Sequence, residues 1–382
     1  MKKILFLTWT RADYWKIRSL IREVDKHYSF ESYVFVTWMH MLWKYWFTFK
    51  EILDENHQNV YLNINQHVWE KQEIVIANTI INLSHYIHEI NPDLIVIHGD
   101  RVEALAWVIA WSFTNTLVAH VEWWESSGSI DESVRHFISK LSHVHFVAND
   151  KSADKLEIMW EKRENIYSIW SPDFDVMFWD ELSKIDELKI KYDIPFEKYW
   201  IFIFHSVTTE TSSFEQHCIN VLDGLIQSNK KFILIYPNND PSSDIVIKYF
   251  NKYIIDKKFK ESYRIFDSIP FNDFLTILKS SKCIVWNSSA WVRQAPTLWV
   301  PTVNIWTRQN NRNNWESIHN VNYDSDEVKN KINELWEENK IYPKCLTFGD
   351  WKAWERFIKI IETERFIKII ETEEFWNTSI QK

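Results

Sequence analysis

Residues 4–20 have the sequence ILFLTWTRADYWKIRSL, in which a short apolar run is followed by a polar turn and a helix-like segment. The same alternation recurs along the chain. Its helix-like segments in the first half lie near residues 11–26, 70–90, 102–113 and 131–141. The predicted strands are Ile4–Leu7, Tyr33–Val36, Val60–Ile64, Leu94–His98, Leu117–Val121, His143–Val147, Ile201–Phe204, Phe232–Tyr236, Tyr263–Phe266, Cys283–Val285 and Thr302–Ile305.

Apolar strands that alternate with helices are typical of parallel sheets covered on both faces. The pattern pauses around Trp170 and restarts at Trp200, which predicts two domains. We therefore expect an α/β fold with two doubly wound, Rossmann-like domains around a cleft. In such sheets ligands bind beyond the carboxyl ends of the strands, so the candidate site residues are sought there.

Composition narrows the class of protein. The chain has 382 residues, 46% of them hydrophobic and 25% charged, and a net charge of −9. This acidic balance argues against nucleic-acid binding, and no apolar stretch approaches the length of a membrane span. Three scattered cysteines, without metal-ligand spacing, and an amino terminus without a signal-peptide core lead us to expect a cytoplasmic protein.

The chain contains 4 glycines and 23 tryptophans, a reversal of the usual proportions. Tryptophans stand in turns where a backbone usually needs glycine, as in HVEWWESS and IVWNSSAWVRQAP. Glycine serves such turns because it tolerates positive φ and close backbone approach. We interpret most tryptophans as occupying positions suited to glycine.

Charged groups follow three predicted strands of the first domain. Arg11 and Lys16 lie at a strand-to-helix turn, which suits a phosphate; a solvated helix start is the alternative. Asp100, followed by Arg101, ends another strand, where a site residue or a helix cap is possible. The third group is either an acid–base cluster or a solvated acidic loop, and it comprises His120, Glu122, Glu125, Asp131, Glu132, Arg135 and His136.

In the second domain, His205 ends the first strand and is a candidate acid, base or phosphate donor. Small and polar residues follow two later strands and suggest a loop whose N–H groups cradle a diphosphate. These residues are Asn238, Asp240, Ser288 and Ser289, with Arg293, Arg308 and Arg312 nearby. Dinucleotide-binding and P-loop patterns do not occur in the sequence.

With the tryptophans interpreted as glycines, these motifs resemble the hydrolysing UDP-N-acetylglucosamine 2-epimerase family, in particular its sialic- and legionaminic-acid branch. The resemblance runs in order over roughly residues 1–350 and rests on WTRADYWK, HGDR, HVEWWE, IDESVRH, His205, NSS and TRQ. It implies a glycosyltransferase-B-type fold with domains at 1–170 and 171–352. Residues 353–382 would form a last helix that crosses back.

The resemblance also implies a reaction and its residues. UDP leaves C1 as the C2 proton is removed, and water adds to the resulting 2-acetamidoglucal to release N-acetylmannosamine. The implied catalytic residues are Asp100, Glu122, Asp131 and His205, with Glu122 as the first candidate for the C2 base. The implied UDP-binding residues are Arg11, Lys16, Arg101, Arg135, Asn238, Asp240, Ser288, Ser289, Arg293 and Arg308. We expect no metal or redox cofactor, a UDP-sugar partner and a homodimer.

Three alternatives stay open at this point. The substrate could be UDP-2,4-diacetamido-2,4,6-trideoxyglucose, which differs from UDP-N-acetylglucosamine at C4 and C6. The sequence does not identify the residues that contact these two positions of the sugar. A UDP-sugar glycosyltransferase would share the fold and the nucleotide platform. A sugar-nucleotide-binding protein without catalysis would gain support if tryptophan at Trp9, Trp123 and Trp124 distorts the site.

A duplication marks the carboxyl-terminal region. The nonapeptide ERFIKIIET occurs at 355–363 and again, unchanged, at 364–372. Nine residues are 2.5 helical turns, so the apolar faces of the two copies would point in opposite directions on one straight helix. We expect only one copy to pack against the protein.

Overall fold

The computed structural model describes residues 1–45, 47–111, 114, 116–121, 130–177, 182–205, 213–237, 243–255, 261–287, 295–305, 315–338, 340, 342–343 and 349–372. The chain divides into two compact units. The first unit comprises Met1–Phe178 and Thr347–Lys382, and the second comprises Trp179–Leu346. None of the described helices is long and apolar enough to cross a bilayer.

The described part of the first unit contains a parallel sheet of seven strands. The strands are β1 (Lys2–Thr8), β2 (Phe30–Val36), β3 (Asn59–Leu62), β4 (Leu94–His98), β5 (Leu117–Val121), β6 (Val144–Val147) and β7 (Ile166–Ser168). Their order across the sheet is β3-β2-β1-β4-β5-β6-β7. The chain thus winds outward from β1, returns to β4 beside it, and winds the other way. This reversal creates a crevice at the carboxyl ends of β1 and β4, where open parallel sheets bind ligands.

Helices cover both faces of this sheet. They are α1 (Arg11–Lys26), α2 (Phe49–Leu53), α3 (Gln72–Ile90), α4 (Val102–Trp111), α5 (Ile130–Leu141), α6 (Asp150–Ile158) and α7 (Asp173–Met177). Successive residues of a strand point to opposite faces, and two hydrophobic cores result. Phe6 and Val96 pack with α1 on one face, whereas Leu5 and Ile97 pack with α3 and α4 on the other.

The second unit repeats the architecture. Over its described residues it has six parallel strands, β8 (Trp200–Ile203), β9 (Phe232–Ile235), β10 (Tyr263–Phe266), β11 (Cys283–Trp286), β12 (Thr302–Ile305) and β13 (Ile318–Val321). Their order is β10-β9-β8-β11-β12-β13, again with the reversal beside the first strand. Its described helices are α8 (Ile185–Lys191), α9 (Phe214–Gln227), α10 (Ser243–Ile255), α11 (Phe271–Lys279) and α12 (Ser325–Glu337).

The prediction of an α/β fold with parallel sheets is confirmed. The sequence prediction missed the edge strands β7 and β13. These strands have three and four residues, IYS and IHNV, and are only partly buried. Short edge strands with polar residues lack the continuous apolar run that identified the central strands.

The expectation that one copy of the nonapeptide packs is wrong, because both copies pack. The helix ends at Glu362 and restarts, giving α13 (Ala353–Ile361) and α14 (Glu364–Thr372) in the first unit. Thr363 caps the new helix, its Oγ1 accepting from the N–H of Phe366 at 3.2 Å. Phe357 and the equivalent Phe366 are both 0% exposed and lie in the same core cluster. The break removes the 180° mismatch that a straight helix would impose.

Several tryptophans adopt a backbone conformation that favours glycine. Among the described residues with positive φ are Trp38, Trp69, Trp160, Trp170, Trp299 and Trp351, with φ between 54° and 76°. Within the described part of the chain, the indole N–H groups of the buried Trp9, Trp107 and Trp111 meet no acceptor. A buried indole N–H usually has one, so these sites are poorly matched to tryptophan. The interpretation of tryptophans at glycine positions stays a prediction.

Candidate active site

The turn between β1 and α1 is organised by the carboxylate of Asp13. Its oxygens accept from the Thr8 hydroxyl at 2.7 Å, the Thr10 hydroxyl at 2.7 Å and the Thr10 N–H at 2.5 Å. The N–H of Trp9 also donates, at 3.2 Å. Burial raises the pKa of Asp13 to about 7, although these donors act in the opposite direction. The turn is thus held in one shape by a single buried side chain.

Arg11 and Lys16 lie in the first turns of α1, and both are half-buried. Arg11 Nη1 is 3.5 Å from Glu51 Oε1, on α2. Behind the turn, His40 Nε2 is 3.0 Å from the Thr8 hydroxyl, and its Nδ1 is 2.7 Å from that of Thr48. Burial, followed by the charge of Arg11, lowers the pKa of His40 to about 3. His40 is therefore a neutral support, and the positive charge of the turn comes from Arg11 and Lys16.

Asp100 follows β4, the strand paired with β1. Arg135 of α5 donates to one Asp100 oxygen from Nε at 3.1 Å and from Nη2 at 2.5 Å. The Arg135 side chain is only 4% exposed, and that of Asp100 is 34% exposed. Arg101 Nε donates to Glu103 at 3.2 Å, and the Arg101 side chain is 44% exposed. Arg135 is thus a partner of Asp100, and Asp100 keeps an accessible edge.

The β1 and β4 turns are close to each other. A Cβ placed on Gly99 would be 3.7 Å from the Trp9 ring. Gly99 has a φ of 87°, which a residue with a side chain rarely adopts. The structure therefore brings Arg11, Asp100 and Arg135 to one edge of the first sheet.

In the second unit, His205 follows β8 and is 4% exposed. Its backbone N–H donates to Asn287 Oδ1 at 2.8 Å, and its carbonyl accepts from Asn287 Nδ2 at 2.7 Å. Asn287 is fully buried and follows β11, the strand beside β8. The His205 ring is 5.6 Å from that of Trp286, between centroids.

Other predicted site residues lie outside the part of the chain that the structure describes. They are Glu122, Asn238, Asp240, Ser288, Ser289, Arg293 and Arg308. Asp131 lies in the first turn of α5, and its side chain is outside the described part.

Two residues that organise the site, Asp13 and Asn287, received no role of their own from the sequence. His120 was predicted only as a member of the group that is either an acid–base cluster or a solvated loop. The contacts that His120 and Asn287 make are with residues 21 and 82 positions away, so no local signal reveals them. The pattern Thr10-x-x-Asp13 is a capping-box signal that could have identified Asp13, and the structure forms that box.

The arrangement has the elements of an acid–base site for an anionic ligand. A helix N-terminus with Arg11 and Lys16 offers positive charge. Asp100, bonded to a buried guanidinium, offers a carboxylate fixed in position. Two parallel-sheet units of this kind define a protein of the glycosyltransferase-B type.

Solved structures share this fold. One is the UDP-GlcNAc 2-epimerase of Neisseria meningitidis bound to UDP-GlcNAc, with a TM-score of 0.78, 17% identity, and coverage of 94% of this chain and 99% of that one. Another is the Methanocaldococcus jannaschii enzyme in complex with UDP-GlcNAc and UDP, with a TM-score of 0.75, 18% identity and the same coverage.

The chain belongs to the UDP-N-acetylglucosamine 2-epimerase family, whose model matches residues 22–362. It is 40% identical to a UDP-N-acetylglucosamine 2-epimerase of Neisseria meningitidis, over 100% of this chain and 98% of the relative. It is 29% identical to a hydrolysing UDP-N,N'-diacetylbacillosamine 2-epimerase of Legionella pneumophila, over 95% and 96%. The family predicted from the sequence is thereby confirmed.

Proposed function

We propose that the protein is a hydrolysing UDP-N-acetylglucosamine 2-epimerase that releases UDP and N-acetylmannosamine. A base takes the C2 proton as the C1–O bond to UDP breaks, leaving a double bond between C1 and C2. Water then adds its hydroxyl to C1 and a proton to C2, on the opposite face. Full-length similarity to the Neisseria relative supports the substrate. The observation that supports the reaction is that Arg135 binds the Asp100 carboxylate next to the turn that carries Arg11.

We assign roles by charge and position. Arg11 and Lys16 stabilise the negative charge on the departing diphosphate, Arg11 from the first residue of α1 and Lys16 from its second turn. Asp100 orients the sugar or relays a proton, and Arg135 holds its carboxylate in position through two hydrogen bonds. Arg101 is a further cation for the diphosphate, being half-exposed beside Asp100.

The remaining assignments follow the family motifs. Glu122 is the first candidate for the C2 base and Asp131 is the second. His205 contacts the leaving phosphate. The nucleotide is bound by Asn238, Asp240, Ser288, Ser289, Arg293 and Arg308. No metal is needed in this scheme, because the leaving group is stabilised by cationic side chains.

A second sugar is favoured by one observation. The Legionella relative acts, by its name, on UDP-N,N'-diacetylbacillosamine. The same elimination and addition on a UDP-2,4-diacetamido-2,4,6-trideoxy sugar is therefore the alternative function, and it would use the same catalytic groups.

The test is acceptor-independent release of UDP in D2O, with the sugar followed by NMR. We expect N-acetylmannosamine that carries deuterium at C2, because the C2 proton is lost and replaced from solvent. Asp100→Asn should lower the rate by about 10²-fold or more, whereas Asp154→Asn, which changes an exposed carboxylate on α6, should not. Release of UDP without deuterium at C2 would exclude the elimination, and activity only on the diacetamido sugar would select the alternative.

A further inference from the structure

His120 lies on β5 and reaches across to the turn after β4. Its side chain is fully buried, and its Nε2 is 2.8 Å from the backbone carbonyl of Gly99. A carbonyl can only accept, so Nε2 must carry the hydrogen. β5 pairs in parallel with β4, and His120 is level with Ile97. The ring therefore spans from the interior of one strand to the end of its neighbour.

The environment of His120 selects one tautomer of a neutral ring. The Ser139 hydroxyl lies 3.5 Å from Nδ1 and can donate to it, which leaves the hydrogen on Nε2. Burial lowers the pKa of His120 to about 3, and the neighbouring His145 and His98 act in the same direction, while Asp100 opposes them. The imidazole is therefore neutral at physiological pH.

The carbonyl that His120 holds belongs to the residue before Asp100. Gly99 has a φ of 87°, so the chain turns sharply there. On the other side, Arg135 fixes the Asp100 carboxylate. Backbone and carboxylate of the same turn are thus held separately, one by β5 and the other by α5.

We propose that His120 is a positioning residue for Asp100, and that its Nε2–H sets the turn that aims the Asp100 carboxylate at the substrate. This inference rests on the proposed function insofar as Asp100 takes part in the reaction. The alternative is that His120 is a core histidine whose hydrogen bond contributes only to stability. The positioning role predicts that His120 and Asp100 affect the same step of the reaction, whereas the structural role does not.

Two substitutions of His120 both remove the imidazole ring, but only one of them keeps a hydrogen-bond donor at the place of Nε2. Glutamine can place its Nε2 near the imidazole Nε2 and keep the donor, whereas the shorter asparagine cannot reach Gly99. We expect His120→Asn to lower kcat by about 10²-fold with little change in KM, since misplacement of a reacting group by about 1 Å has such an effect. His120→Gln should recover most of the activity.

A matched control comes from the other end of β5. His143 Nδ1 accepts from the N–H of Val118, the second residue of that strand. His143→Ala should lower thermal stability without a change in kcat. If His143→Ala lowers kcat as much as His120→Asn does, or if the asparagine and glutamine variants of His120 are equally slow, the positioning role is wrong.

Two further readouts make the test decisive. If His120 acts through Asp100, the double variant His120→Asn/Asp100→Asn should be no slower than Asp100→Asn alone, whereas independent effects would multiply and contradict the proposal. NMR of the protein with 15N-labelled histidine should show His120 protonated at Nε2. A hydrogen at Nδ1 instead would mean that His120 does not donate to the Gly99 carbonyl, and the proposal would be wrong. If the Nε2 tautomer is found but Asp100→Asn is fully active, the proposed role of Asp100 has failed and the positioning proposal fails with it, while the hydrogen bond stands.

Discussion

The side chain of Asn287 satisfies both backbone groups of His205, donating from Nδ2 to its carbonyl at 2.7 Å and accepting its N–H on Oδ1 at 2.8 Å. The amide thus continues the pairing of β8 and β11 beyond the ends of both strands. His205 is thereby positioned by a residue of the neighbouring strand.

Asn287→Asp tests this relationship with almost no change in volume. The variant loses the donor to the His205 carbonyl, so we expect the free energy of unfolding to fall by about 1–3 kcal/mol. The rate of UDP release should fall as well, because His205 loses its fixed backbone. Asn220→Asp is the matched control, since Asn220 Nδ2 donates to a backbone carbonyl of the same unit, that of Tyr323, and not to that of His205. Urea denaturation and the UDP assay on both variants check the prediction, and equal activities would contradict it.

Two buried carboxyls should make the protein less stable as pH rises. Burial raises the pKa of Asp13 and of Asp175 to about 7, while hydrogen bonds oppose the shift. The folded state therefore keeps protons that the unfolded chain has released, and the free energy of unfolding should fall between pH 4 and 7. Each of the two carboxyls lowers the free energy of unfolding by at most about 1.4 kcal/mol for each unit by which the pH rises.

The measurement is urea denaturation of the wild type, Asp13→Asn and Asp175→Asn across this range. Asp175 also accepts from the N–H groups of Ala353 and Trp354 at the start of α13, at 2.9 and 3.0 Å. Each asparagine variant should show a shallower dependence on pH than the wild type. A slope unchanged in both variants would show that other groups are responsible.

Replacing an exposed tryptophan of positive φ by glycine should stabilise the protein. Trp160 is 91% exposed and has a φ of 69°, so Trp160→Gly removes steric strain of about 1–2 kcal/mol and little packing. Trp43 is the control, because it is 67% exposed, lies in a short 3₁₀ helix and is not among the described residues of positive φ. Trp43→Gly should destabilise by about 0.5–1 kcal/mol. Loss of stability in both variants would reject the interpretation that such tryptophans occupy glycine positions.

The second nonapeptide copy should be as important to stability as the first. Phe366→Ala and Phe357→Ala should each lower the free energy of unfolding by about 3–5 kcal/mol, because both rings are fully buried in one cluster. Arg365→Ala should change the free energy of unfolding little. The Arg365 side chain is 51% exposed, and its Nη2 is 3.8 Å from Glu164 Oε2 in a long, exposed ion pair. Thermal denaturation of the three variants checks this. A neutral Phe366→Ala would indicate that only the first copy packs.

The central strands and first helices could be predicted because their signals are local. Leu94–His98 and Leu117–Val121 were predicted with the bounds that β4 and β5 have, since continuously apolar runs are typical of buried parallel strands. The edge strand β13 has no such run and was missed. The break at Glu362 was missed as well, because a helix period alone does not reveal where a second copy can dock.

For the site, the sequence by itself determined which charged residues follow the strands, and the parallel topology requires these positions to meet at one edge of each sheet. The tertiary structure alone decided that Arg135 pairs with Asp100, that His120 holds the Gly99 carbonyl and that Asn287 holds His205. Residue type and spacing are recorded along the chain, so they can be inferred from it. A hydrogen-bond partner or a pKa depends on burial and on groups distant in sequence, and these exist only once the chain has folded.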